Sequence, residues 1–197
     1  RLSVRMYLGD GFQALGSFPS HNEWMTISEW WNNGDWGADP YPFRVSVNLV
    51  KDRAGAGVPL IFGVHAQTFD RASRRWSRKV WSASKADFAV PVGRWMKLDY
   101  HWHEGDASTG RFKMTVTVDG DNPRVVFDIT NFTHHPDDPA PDGLVHFNPI
   151  KLYTSRAVIE HVRALQPELA IYWDDLALRL CASSSDRSSP DTSCVHY

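Results

Sequence analysis

Three short stretches place, at alternate positions, groups that can neutralise a carboxylate and move protons. Arg44, Ser46 and Asn48 alternate with Phe43, Val45, Val47 and Leu49; His65 and Gln67 alternate with Val64, Ala66 and Thr68; Lys151 and Tyr153 share one parity. Successive side chains of an extended strand point to opposite faces, so each set shares a face. Guanidinium and amide groups can draw charge from a carboxylate and so acidify the proton beside it, while His and Tyr can take a proton and deliver one to a leaving oxygen. An elimination next to an acid group needs this combination. Tyr, with an ordinary pKa of about 10, acts as a base only where cations such as Arg44 or Lys151 stabilise its phenolate. Arg44, His65, Gln67 and Tyr153 are therefore the catalytic candidates, and Asn48 and Lys151 the binding candidates. The competing assignment is solvated strand residues around a hydrogen-bonded histidine.

Residues 23–36 hold a second constellation. Glu23 and Glu29 have equal parity, but six residues at about 3.3 Å of rise separate them by roughly 20 Å, too far for a usual acid pair on a glycosidic bond. Glu29 is assigned either to a sugar hydroxyl or to an ion pair with Arg44. The chain carries 9 Trp, 6 Tyr and 10 Phe, more rings than a core needs, and sugars present apolar C–H faces that aromatic rings cover. Trp30, Trp31 and Trp36 are candidates for such a stacking platform, against the alternative that some fill the core. His101 with His103, and His134-His135-Pro136-Asp137-Asp138, group donors without a third metal ligand at recognisable spacing. Neither a phosphate-binding glycine loop nor a G-x-S-x-G elbow is present, so no cofactor is required.

These groups need strands to hold them. The dominant hydrophobic period is two, broken every ten to fifteen residues by Gly, Pro, Asn or Asp, which predicts an all-β fold: a two-sheet antiparallel β-sandwich, or jelly roll. The expected strands are 23–31, 43–51, 59–69, 78–82, 88–103, 111–119, 124–130, 147–154 and 170–180, with one short helix near 154–165 closed by Pro167 and a hairpin turn at Asp119-Gly120. Two such sheets packed by their apolar faces leave outer faces, one of which can form a groove. Residues 1–180 are read as the sandwich domain. Residues 181–197 are read as a polar tail, with a Cys181–Cys194 disulfide favoured in an exported protein over two free thiols. Asn131-Phe132-Thr133 fits a glycosylation acceptor.

With 21 Lys and Arg against 23 Asp and Glu, the net charge of −2 gives no basic footprint for nucleic acid. No apolar run approaches the roughly 20 residues of a membrane span. An initial Arg suggests a processing boundary, so the expectation is a secreted, extracellular or periplasmic monomer.

Several stretches carry a resemblance. VPVGRWMKLDY (90–100), GRFKMTVTVDG (110–120), PIKLYTS (149–155) and IYWDDL (171–176) resemble strands of the concanavalin A-like lectin/glucanase jelly rolls, especially polysaccharide lyases of the alginate and glucuronan lyase type. The likeness spans roughly residues 23–180. The alternating acids of the glucanases (E-x-D-x-x-E) are missing, and the lyases' Gln-x-His occurs here in reverse, as His65-Ala66-Gln67. The resemblance implies β-elimination on an acidic, uronic-acid-containing polysaccharide, with Arg44, Asn48 and Gln67 on the uronate and His65 and Tyr153 handling protons. It also implies a structural calcium at Asp174 or Asp175 near the end of the final strand. The same fold serves as non-catalytic carbohydrate-binding module, lectin and glycoside hydrolase, and these stay as alternatives, the last with Glu29 as its acid.

Overall fold

The computed structural model describes residues 1–22, 24–32, 39–165, 168–181 and 194–196. Their order is β1 (Leu2–Leu8), a 3-10 helix (Asp10–Ser17), β2 (Met25–Trp31), β3 (Phe43–Val50), β4 (Ile61–Asp70), β5 (Arg75–Ala89), β6 (Trp95–His103), β7 (Arg111–Val118), β8 (Arg124–Thr130), β9 (His146–Asn148), β10 (Tyr153–Thr154), α1 (Arg156–Leu165), β11 (Ile171–Cys181) and β12 (Cys194–His196). Two antiparallel sheets result. One runs β12-β11-β1-β6-β7-β8; the other runs β10-β2-β3-β4-β5, with β9 also on β2. The chain is an all-β sandwich, as the period of two requires.

Alternation decides what lies between the sheets. β1 buries Leu2, Val4, Met6 and Leu8 and leaves Ser3, Arg5 and Tyr7 partly exposed, and β7 repeats the pattern with Phe112, Met114, Val116 and Val118. From the second sheet, Phe43, Val45, Val47, Leu49, Phe62, Val64 and Ala66 meet them. The aromatic centre crosses the gap: Trp30 of β2 lies 4.8 Å from Tyr100 of β6 and 6.0 Å from Phe112 of β7, ring centre to ring centre. Burying these side chains, at about 1.5–3 kcal/mol each, is the main force holding the sheets together.

Four strand boundaries differ from the sequence expectation. The run 88–103 is two strands, because the chain turns at 90–94 with Gly93 at φ 75°, a left-handed conformation glycine adopts freely. The short strand at 78–82 is the middle of a fifteen-residue strand, β5. The strand at 147–154 is split into β9 and β10, both on the same edge of β2. β1, which has clear alternation, and the 3-10 helix stand outside the expected elements. Of the C-terminal tail, β12 returns to β11 and places Cys194 opposite Cys181 in backbone register; residues 182–193 lie outside the described residues.

Candidate functional site

The outer face of the second sheet carries the chemistry. Because β2, β3, β4 and β5 are in register, cross-strand rows form: Glu29, Ser46, His65 and Ser82 in one, and Trp31, Arg44, Gln67 and Lys79 in the next. A register shift between Thr26 and Ser28 inserts one extra residue into β2. Such a bulge flips the parity beyond it, so Thr26 and Glu29 share this face while Ser28 turns inward to Tyr100 Oη at 3.0 Å. On the other side of β2, Lys151 sits between β9 and β10, anchored by its N–H to the Ile27 carbonyl. Tyr153 is opposite Thr26.

At the centre is a buried carboxylate. Glu29 is 4% exposed; one oxygen accepts from Arg44 Nη1 at 2.7 Å and the other is ion-paired with Lys151 Nζ. Arg44 also donates through Nε and Nη2 to Gln67 Oε1 (3.1 and 2.8 Å), and its guanidinium lies 4.5 Å from the Trp76 ring centre. Gln67 Nε2 donates to the Trp76 carbonyl. Gln67 therefore holds Arg44 in place, and Glu29 fixes the two cations. Burial draws the Arg44 pKa down, and Glu29 opposes that shift.

His65 stands one row away. Its pKa is lowered to about 4, first by burial and then by the charges of Arg44 and Lys79, with Glu29 opposing, so the ring is neutral at neutral pH. Asn48 orients it. Asn48 Oδ1 accepts from Thr26 Oγ1 at 2.8 Å and Nδ2 donates to the Ser46 carbonyl at 3.2 Å, which fixes the amide with Nδ2 facing His65 Nδ1 at 3.5 Å. A nitrogen facing a donor is the acceptor, so the ring proton belongs on Nε2. The Ser46 hydroxyl, buried between Glu29 and His65, has no hydrogen-bond partner among the described residues.

Above these side chains lies a groove of about 910 Å³, lined by Trp24, Thr26, Glu29, Arg44, His65, Gln67, Arg75, Trp76, Lys79, Lys151 and Tyr153. It adjoins a smaller hollow of about 340 Å³ that shares His65 and Lys79 and continues past Ser82 and Ser84. Tyr153 is 59% exposed at the rim. Its ring lies 5.2 Å from that of Trp24 and 5.6 Å from Lys151 Nζ.

The sandwich thus brings Arg44, Asn48, His65, Gln67, Glu29, Lys151 and Tyr153 together. Of the three platform tryptophans, one is placed in the core. Trp30 is 1% exposed in the core, where no sugar reaches it, and Trp31 faces the groove side but stacks on His146 at 5.6 Å without lining the groove. Trp36, like Glu23, lies outside the described residues. Asp174 and Asp175 lie on the other sheet: Asp174 Oδ1 accepts from the Asp175 N–H at 2.8 Å, and Asp175, at φ 51°, is 3.9 Å from Arg5 Nη1. Among the described residues no three His, Cys, Asp or Glu side chains are grouped to hold a metal ion. The tryptophans that do line the groove, Trp24 and Trp76, and the cations Arg75 and Lys79, were not singled out by the spacing; the run Arg74-Arg75-Trp76-Ser77-Arg78-Lys79, a tryptophan embedded in charge, is the signal that marks Arg75, Trp76 and Lys79.

No family model matches the chain, and neither does any curated protein or solved structure compared with it.

Proposed function

We propose that the groove binds an acidic polysaccharide and cleaves it by β-elimination, the chain acting outside the cell as a polysaccharide lyase. One observation carries the reading: among the described lining residues, Arg44, Arg75, Lys79 and Lys151 stand against a single carboxylate, Glu29, which is already paired, and Trp24, Trp76 and Tyr153 supply rings beside them. Cations draw in a uronate and the rings cover its C–H faces. The resemblance to lyases of the lectin/glucanase jelly rolls points the same way.

Roles follow from hydrogen-bonding capacity. Arg44 keeps one N–H on each terminal nitrogen beyond those given to Glu29 and Gln67, and Lys151 keeps two, so both can donate to a uronate carboxylate. His65, neutral with its proton on Nε2, donates to the same group, so that the carboxylate takes up the negative charge that develops as the α-proton leaves. Tyr153, at the rim with Lys151 Nζ 5.6 Å from its ring centre, takes the α-proton as base; the C–O bond at the β-carbon then breaks, and that proton passes to the departing glycosidic oxygen. The products are a new non-reducing end with a C=C bond and a free hydroxyl.

The experiment is ultraviolet absorbance of that conjugated double bond across glucuronan, alginate, pectate and glycosaminoglycans. A rise on one polymer is expected, with Tyr153→Phe losing at least about 10²-fold in kcat while still retaining polymer. A folded Tyr153→Phe protein with an undiminished rate overturns the assignment. The mutual engagement of Glu29, Arg44, Gln67 and Lys151 favours one second reading, a carbohydrate-binding module. Polymer retained at unchanged length would establish it.

A further inference from the structure

The opposite sheet carries a second hollow on its outer face, about 370 Å³, between β11, β1, β6 and β7. Its floor is set by parity. Tyr100, Met114 and Leu178 face inward to the core, so His101, Lys113 and Arg179, their chain neighbours, face outward. His101 and Lys113 are direct cross-strand partners; Arg179 reaches the same line through Arg1, whose carbonyl accepts its N–H. Burial first, and then the charges of Arg1, Arg111 and His103, weigh against protonation of His101, so Lys113 and Arg179 carry the positive charge of this line while His101 offers a neutral ring. The acid beyond Lys113, Asp128, is held by both arms of Arg111 at 2.8 and 2.7 Å. The acid within the hollow, Asp99, pairs with Lys97 at 2.9 Å beside the Thr115 hydroxyl.

We propose that this hollow is a second binding site for an acidic sugar unit, separate from the groove. A row of cations supplies the attraction for a negative group. Asp99 and Thr115 decide the class: a carboxylate and a hydroxyl beside that row accept hydrogen bonds from sugar hydroxyls, donors that a bare sulfate does not have. A concave site of this volume fits a sugar unit; it is not the broad basic surface that a nucleic acid backbone needs. The site lies on the far side of the sandwich from His65 and Tyr153, so it stands whether the groove cleaves or only binds.

Amide chemical-shift mapping of the isotope-labelled chain tests it, with saturated glucuronate and mannuronate oligosaccharides as probes and inorganic sulfate and a short DNA duplex as controls. Shifts are expected at His101, Lys113, Thr115 and Arg179 with the uronate probes, and the double variant Lys113→Glu/Arg179→Glu is expected to weaken that binding at least about tenfold while leaving groove shifts in place. If the charge reversals unfold the chain, Lys113→Gln/Arg179→Gln serves instead. No shift at these amides with any uronate probe, or equal shifts with sulfate or DNA, overturns the proposal. Shifts here without shifts in the groove sink the groove reading and leave this one standing.

Discussion

Glu29 shows how a residue suited to one kind of chemistry can serve another. A carboxylate near a sugar site suggests a glycosidase acid, yet Glu29 is 4% exposed, has Arg44 and Lys151 on its two oxygens, and has no partner acid among the described groove residues. Its neutral replacement, Glu29→Gln, leaves two cations facing one another in a partly buried place and is expected to cost about 2–4 kcal/mol of unfolding free energy, read by denaturant titration; a change within experimental error would mean the pair contributes nothing. His65 makes a second residue-level prediction, with a definite sign. Its folded-state pKa, about 4, lies below the roughly 6.5 of an unfolded histidine. Between those values the unfolded chain binds a proton that the folded chain refuses. The stability is therefore complete above about 6.5 and falls as pH drops towards 4, by on the order of 3 kcal/mol. Unfolding of the wild type and of His65→Gln over this window isolates the effect: the wild type should lose stability more steeply with falling pH than the variant. A His65 ring whose NMR titration centres near 6.5 would refute it.

At the scale of the element, turns and close approaches decide more than strand propensity. Gly110 opens β7 where two other backbones crowd in: a Cβ there would lie 2.2 Å from the Asn131 carbonyl oxygen and 2.5 Å from that of Gly105. Gly120, in the hairpin turn after β7, has φ 86° and open space around it. Gly110→Ala should therefore cost about 2–4 kcal/mol through forced backbone displacement, and Gly120→Ala only about 1 kcal/mol through conformation. Thermal unfolding of the two variants checks the order, and the reverse order would mean that the approach at Gly110 relaxes freely. The same elements show what a sequence can and cannot disclose. The polar row Arg44, Ser46, Asn48 and its partner row His65, Gln67 were legible because β3 and β4 alternate without interruption. The face of Glu29 was not, since strict parity sets it opposite Thr26 and only the bulge in β2 reverses that. Trp30 was misplaced for the same reason: a tryptophan beside a polar row reads as a platform until the facing rings of Tyr100 and Phe112, more than sixty residues away in the chain, claim it for the core. Contacts of that range depend on how the two sheets stack, which local pattern does not encode.

For the whole molecule, the arrangement of charge matters more than its sum. A net charge of −2 would by itself repel an acidic polymer weakly. Close to the groove, Arg44, Arg75, Lys79 and Lys151 are gathered within one concavity, and a concave, partly desolvated site strengthens the field of the charges that line it. Added salt discriminates between the two influences. With a Debye length of about 10 Å at 0.1 M and about 3 Å at 1 M, it screens the general repulsion and the local attraction together, so the direction of the response reveals which dominates. If contact cations dominate, the Kd for a uronate oligosaccharide, measured calorimetrically, rises at least about tenfold between roughly 0.05 and 0.5 M salt, while a neutral glucan of equal length changes little. If binding tightens with salt or ignores it, the rings of Trp24, Trp76 and Tyr153 carry the affinity alone, and the groove is a surface for neutral sugar. Arg44→Ala separates the cases further. It removes one contact cation together with the partner of Glu29, so it should flatten the salt dependence as well as weaken binding; a variant that binds more weakly with the same slope would show Arg44 acting through the structure and not through its charge.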